Sequence, residues 1–238
     1  MKPLYIKSLS MLLGACLLLF SASSEARKPH SLIDDFSQWL HQQTSQFDYY
    51  LLALSWSPAF CNSAAGHKAD KQLQCSTPMG FVVHGLWPQY NNNDYPHDCG
   101  PVADVPAAVA AIAQHANPPM PPGDPQLVNH EWSKHGTCSG LNMQEYFTAI
   151  KTSAEKLKIP EIFKAPQNSL NLDAAAITTA FTSINPGLSA EMIHIETDHQ
   201  GNISGIQVCF SKQLVFQPCT TKHSKPEGGI ILPVEHQP

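Results

Sequence analysis

Residues 130–138, HEWSKHGTC, bring two histidines, a glutamate, a lysine, a tryptophan and a cysteine together in one short stretch. A zinc-peptidase helix sets its two histidines at i and i+4, on one face. His130 and His135 are instead five residues apart and, on an ideal helix, about 140° apart around the axis. That motif is therefore excluded, and no metal is assigned. Glu131, Lys134 and His135 fall within roughly 100° of one another at separations of three and four residues. One face then carries a carboxylate, an ammonium and an imidazole, the parts of an acid/base centre that handles a negatively charged group. The lysine supplies a point charge, the glutamate biases the imidazole and the histidine moves protons. A solvated helix face holding these types by chance is the plain alternative.

The second candidate stretch is FVVHGLWPQ, residues 81–89. His84 ends an apolar run, and Gly85 lets the backbone turn or admits a ligand closely. Trp87 reads as core or as a stacking platform for a base. His97 lies in the following loop, within reach of a substrate. The remaining histidines, at 30, 41, 67, 115, 194, 199, 223 and 236, lack a partner pattern and read as surface. Trp56 and Trp132 read as core.

Such side chains need rigid elements to position them. DYYLLALSW (48–56) is apolar on both alternating faces and reads as a central strand, and GFVVHGLW (80–87) as a second, short buried strand. VADVPAAVAAIAQHA is an alanine-rich helix, and the proline-rich stretch 117–125 an ordered surface loop. A helix from about Gln126 carries the first motif to Gly136. NMQEYFTAIKTSAEKLK is a further helix, with Met143, Tyr146, Phe147 and Ile150 at helical spacing. LDAAAITTAFTSI is another, capped by Asn171 or Asp173. EMIHIETD, ISGIQVCF and LVFQPC read as three strands, the first two joined by a turn at HQGN. With no repeat and no interdomain linker, the prediction is one disulfide-stapled α+β domain over 47–238, a central antiparallel sheet flanked by helices.

The chain start reads as a secretory signal peptide over residues 1–26: a charged beginning, an apolar run from Ser8 to Phe20, then small residues. That run, about 13 residues, is too short for a membrane span of roughly 20. Cleavage is expected after Ala26, with Ala22 or Ser23 as alternatives. LGAC at 13–16 also resembles a bacterial lipoprotein signal, which would lipidate Cys16 and is the only predicted route to a membrane. Residues 27–46, with the amphipathic piece LIDDFSQWL, form an N-terminal extension. Without the leader six cysteines remain: Cys61, Cys75, Cys99, Cys138, Cys209 and Cys219. An even number in an exported chain argues for disulfides. Fifteen pairings are open on counting alone, of which the simplest is the sequence-local one, Cys61–Cys75, Cys99–Cys138 and Cys209–Cys219.

The 238-residue chain has a formal net charge of −5 with its 12 histidines neutral, so its bulk field does not make it a strong polyanion binder. Protonation of those histidines near pH 5 reverses the balance, and contact with nucleic acid should tighten in acid. Arg27 is the single arginine, so guanidinium clamps on phosphate are absent from the predicted domain. NIS at 202–204 is a glycosylation acceptor only in a host that glycosylates.

Together FVVHGLWP and HEWSKHGTC resemble the two active-site segments of the ribonuclease T2 family, secreted, acid-active endoribonucleases of low base specificity. DYYLLALSWSPAFC adds to the likeness, as does DCG at 98–100, where the family has a cysteine paired to the one ending the second segment. The resemblance spans about residues 47–219. It implies an exported, periplasmic or extracellular, monomeric enzyme with RNA as partner and no cofactor. RNA would be cut by metal-independent transphosphorylation to a 2′,3′-cyclic phosphate, then hydrolysed to a 3′-phosphate. His135 would be the general base and His84 the general acid. Lys134 and His130 would meet the phosphate. Glu131 would polarise the phosphate region when protonated, or orient Lys134 and His135 when ionised. Trp87 would stack a base. Many family members carry an acidic residue after HGLWP that helps hold a purine; Gln89 stands there instead, which leaves base preference open, with Tyr90 as a second base contact. A binding module without activity and a metal-dependent phosphodiesterase are the competing readings.

Overall fold

The computed structural model describes residues 46–68, 73–220 and 228–234. The expected signal peptide, Cys16 and the extension carrying LIDDFSQWL lie outside them. The first expected strand is present as β1 (Tyr49–Trp56). Its alternation divides it cleanly. Tyr50, Leu52, Leu54 and Trp56 enter the main core, while Tyr49 and Leu51 pack in a small second cluster on the other face. Three short helices, α1 (Ser57–Cys61), α2 (Ala64–Lys68) and α3 (Leu73–Ser76), follow and are stapled by Cys61–Cys75. They were not expected, because runs of four or five residues carry no helical period.

The second strand, β2 (Phe81–Gln89), pairs antiparallel with β1. Its register breaks once: Ala53 faces Gly85 and the next residue, Leu54, faces Val83, so His84 is the extra residue of a β-bulge. The bulge lets Phe81 and Val83 before it and Leu86 after it all reach the same core, although their spacing is not a strict alternation. The full sheet runs β2-β1-β5-β4, with β4 (Ile193–Thr197) and β5 (Ile203–Phe210) forming the expected hairpin. Asn202 is buried in its turn and donates to Asp198 Oδ2 at 2.9 Å, so the NIS asparagine serves to close the hairpin.

The third strand expected at 214–219 does not form. Leu214 has φ 58, Ser211 N–H donates to Val215 O, and a single bridge joins Phe210 to Phe216. The segment is a tight reversal, held to the sheet by Cys209–Cys219. A separate two-stranded sheet, β3 (Leu170–Asp173) with β6 (Gly228–Ile231), was also unexpected.

The alanine-rich helix is α4 (Ala107–Gln114), begun after Pro106. The proline-rich stretch behind it is not a surface loop. Pro118, Met120, Pro121 and Asp124 are buried, and Pro119 O accepts from Val83 N–H at 2.8 Å, covering the outer edge of β2. Helix α5 (Pro125–Lys134) is capped by the Asp124 side chain, which accepts from Leu127 N–H, and has Pro125 in its first turn. A 3-10 turn, Gly136–Cys138, continues from it. Helix α6 (Met143–Lys156) opens on a capping box of Asn142 and Glu145, and α7 (Ala174–Ile184) on Asp173 rather than Asn171. Sheet, helices and three disulfides in the sequence-local pairing make one α+β domain, as expected.

The core is anchored by an aromatic cluster in which Phe81 meets Trp56, Phe163 and Phe181 at centroid distances of 4.8, 6.0 and 6.0 Å. Replacing Phe81 with Ala is expected to lower stability by about 3–5 kcal/mol in denaturant unfolding. Val102→Ala, at a residue 82% exposed, should leave it within about 0.5 kcal/mol. Equal effects would contradict this placement of the core.

Candidate active site

Two elements carry the expected residues to one place. The β2 bulge re-aims His84, and α5 with its following 3-10 turn delivers His130, Glu131, Lys134 and His135. Helix α5 ends at Lys134, and His135 has φ −115. Its backbone remains in the αR region and its N–H still donates to Glu131 O at 3.1 Å, so His135 closes the last turn of the helix. The Cys99–Cys138 disulfide ties the loop that follows β2 to the 3-10 turn after α5. Asp98 N–H donates to Lys134 O at 3.0 Å and Cys99 N–H to Thr137 Oγ1 at 3.1 Å across the same junction. From below, the buried Tyr146 hydroxyl of α6 donates to Leu86 O at 2.9 Å.

Glu131 is the centre. Its side chain is fully buried, Oε2 accepts from Trp87 Nε1 at 2.8 Å, and Oε1 lies 3.4 Å from His84 Nε2. Gly85 makes that approach possible, since a Cβ there would sit 1.8 Å from Glu131 Oε2. Ligand atoms of Glu131 and His135 also lie within 4.8 Å of each other, so the carboxylate stands near both imidazoles. Facing inward from α5, its carboxylate turns to β2 and holds His84 and Trp87. The two partners of Trp87 bracket it: the His84 ring meets it edge-on at 5.4 Å, and the His135 ring is stacked on it at 5.2 Å and 24°. Trp87 thus acts as the wall between two imidazoles, with one face already occupied.

The same field drives the imidazoles apart. Burial pulls the His84 pKa down, but the hydrogen bond and charge of Glu131, with the charge of Glu196, outweigh burial and opposing Lys134, and the net shift is upward. His135 is lowered to about 4 by its burial, with Lys134, His130 and His84 adding to the shift and Glu131 opposing it. Near pH 5–6 one imidazole is charged and the other neutral. The neutral one, His135, has a buried Nδ1 with no hydrogen-bond partner.

Leu51, His84, Trp87, Gln89, Tyr95, His130, Glu131, Lys134, His135 and Gln207 line one cleft of about 370 Å³. Both catalytic candidates therefore share it, together with His130, Lys134, Trp87 and Gln89. Tyr90 does not. It packs against the main core, and the expectation of a base contact there is corrected. The aromatic that faces the cleft is Tyr95, with centroid distances of 6.0 Å to His135 and 5.7 Å to His97 and Lys134 Nζ 5.8 Å over its ring. Tyr95 lies in a polar loop with no periodicity, and its only sequence signal was its position between the two motifs. Ser55, Gln207 and Glu196 were missed for a similar reason: each is one polar residue of a strand. His97 pairs with Asp98 at 2.8 Å and stays exposed. His194, expected at the surface, is buried on β4 opposite Gln207.

Ligand atoms of His130, Glu131 and His135 come within 4.8 Å of one another. Glu131 Oε2 accepts from Trp87 Nε1–H, while Oε1, buried without a hydrogen-bond partner, faces His84 Nε2 at 3.4 Å, and the Lys134 ammonium follows three residues on.

Comparison with known proteins places this disulfide-stapled α+β domain in a family. The chain belongs to the Ribonuclease T2 family, whose model matches residues 47–219. A ribonuclease of Aeromonas hydrophila is 40% identical over 118 residues, covering 50% of each chain, and a probable ribonuclease of Haemophilus influenzae is 39% identical over 125 residues, covering 48% of this chain and 44% of its own. The chain thus spans about half the length of these curated relatives. The solved RNase-related protein from Calystegia sepium shares the fold, with TM-score 0.61 and 25% identity over 80% of this chain and 98% of its own.

The roles of Glu131 are separable by titration. In Glu131→Gln the His84 pKa, followed by imidazole NMR, should fall below its ordinary 6.5, because burial then acts with little opposition. An unchanged His84 titration would contradict the pairing.

Proposed function

We propose that this protein is a ribonuclease T2-type endoribonuclease of low base specificity. It cleaves RNA without a metal to 2′,3′-cyclic phosphates, then hydrolyses these to 3′-phosphates. The observation that carries this reading is the pair of imidazoles in one cleft with opposite charge preferences. In-line attack by a ribose 2′-hydroxyl needs a proton acceptor on one side of phosphorus and a proton donor on the other. His135, neutral above about pH 4, takes the 2′-proton. His84, protonated through the acidic range, gives its proton to the departing 5′-oxygen. In ring opening the roles exchange, with His84 accepting from water and His135 donating.

Negative charge that builds on the non-bridging oxygens is met by Lys134 and, when protonated, by His130. A preorganised donor at such a position is worth roughly 3–4 kcal/mol. Glu131 holds the donor His84 cationic and fixes Trp87, which in turn supports the base His135. The exposed Tyr95 ring, rather than Trp87, is the free aromatic face for a nucleobase, and every base can stack on it. Gln89 sits buried at the cleft wall with Nε2 donating to Pro88 O, so its carbonyl is the atom left to contact a base. Export to an oxidising compartment accords with the three disulfides. Among the described residues no helix is long and apolar enough to cross a membrane.

Cleavage of defined dinucleoside phosphates tests the reading. His84→Asn and His135→Asn should each lower turnover by about 10²- to 10⁴-fold, with cyclic-phosphate ends from the wild type in excess chelator. Comparable turnover by either variant, or activity lost to chelator and restored by zinc, would overturn it. The pH profile should be a bell. The rate rises through about pH 4 as His135 loses its proton and falls above 6.5 as His84 loses its own. A rate still climbing above pH 8 would contradict the assignment.

A further inference from the structure

On the face of the sheet that carries the cleft, a row of residues runs from His84 to the far edge strand. His84 Nδ1 lies 3.3 Å from Ser55 Oγ on β1. Ser55 faces Gly205 on β5, and Gly205 faces Glu196 on β4. A glycine inside a strand gives up side-chain packing and marks a close approach. Here the approaching group is Glu196, whose Oε2 lies 2.9 Å from where a Gly205 Cβ would be. Its other oxygen accepts from Gln207 Nε2 at 2.6 Å. The carboxylate is thereby laid back over the sheet toward β1, although much of the residue remains open to solvent.

We propose that Glu196 is a positioning residue of the active site: its carboxylate, held over Gly205 by Gln207, faces the Nδ1 side of His84 while Glu131 faces Nε2, and together they keep the imidazole charged as proton donor. The donor role itself rests on the function proposed above. The charged or titratable groups that face His84 are Glu131 and Lys134 from α5, His135 beyond it and Glu196 from β4. Ser55 from β1 and Trp87 from β2 are neutral. The two carboxylates raise the His84 pKa, and burial and Lys134 lower it. Partial burial raises the Glu196 carboxyl overall, and His84 and the Gln207 hydrogen bond offset part of that rise, so the coupling is reciprocal. A second carboxylate thus offsets part of the desolvation that acts on the half-buried His84.

The test uses the full chain with Glu196→Gln, which keeps an acceptor for Gln207 and removes the charge, and Glu196→Asp, which keeps the charge. His84 is titrated by imidazole NMR, and dinucleotide cleavage is followed against pH. In Glu196→Gln the His84 pKa should fall by about half a unit, roughly a threefold loss of rate on the alkaline limb. The limb near pH 4, KM at the plateau and the melting temperature should hold. Glu196→Asp should recover most of the shift. A His84 titration unchanged in folded Glu196→Gln overturns the proposal, as does a Glu196→Asp protein no better than Glu196→Gln. A His84 pKa that falls while the alkaline limb stays fixed supports the coupling and overturns instead the donor role of His84.

Discussion

A buried carboxylate needs polar partners to replace the water it has lost. The effective penalty for taking such an ion out of water is several kcal/mol, and removing one partner from a buried pair typically costs about 3–5 kcal/mol. Glu131 meets this requirement with an indole N–H at 2.8 Å and an imidazole nitrogen at 3.4 Å. Both donors come from one strand, three residues apart, and the glycine between them leaves the space the carboxylate occupies. The chemistry of the cleft follows from that triangle. It raises the His84 pKa, and through the Trp87 ring it sets the plane against which His135 stacks.

The surrounding fold serves to deliver these groups without strain on the core. The β-bulge at His84 serves two alternations at once, keeping Phe81, Val83 and Leu86 inside while releasing one residue toward the cleft. Two-faced strands do the rest. On β1, Leu52 and Leu54 fill the core while Leu51 and Ser55 face the site. Tyr146 holds the strand just past the bulge, and the Cys99–Cys138 bridge joins the Tyr95 loop to the turn that carries His135. Such a site behaves as one unit, in which misplacing any member displaces several hydrogen bonds together.

Much of this was legible in the residues. A run apolar on both faces located β1, helical spacing located α6, and a capping residue before an apolar run located α7. The two motifs named His84, Glu131, Lys134 and His135 before any geometry was known. What was hidden depends on tertiary partners. A helical wheel puts the glutamate beside His135, which holds, but it cannot show that the same carboxylate also meets His84 and Trp87 of β2. Tyr90 and Tyr95 look alike in sequence, and only packing sends one to the core and the other to the cleft. LVFQPC has strand composition, yet Leu214 takes a positive φ and the chain reverses. Conversely, β6 is glycine-rich and exists because β3 offers it an edge. The proline-rich segment misled because it satisfies its backbone by covering β2 instead of meeting water.

The proposed reaction divides the labour between a charged His84 on the leaving-group side and a neutral His135 on the attacking side. A dinucleotide whose bridging 5′-oxygen is replaced by sulfur reads it directly, because a thiolate departs without needing a proton. On that substrate His84→Ala should approach wild-type turnover, while His135→Ala should stay as impaired as on the oxygen substrate. Equal impairment of both variants, or recovery of the His135 variant alone, would contradict it.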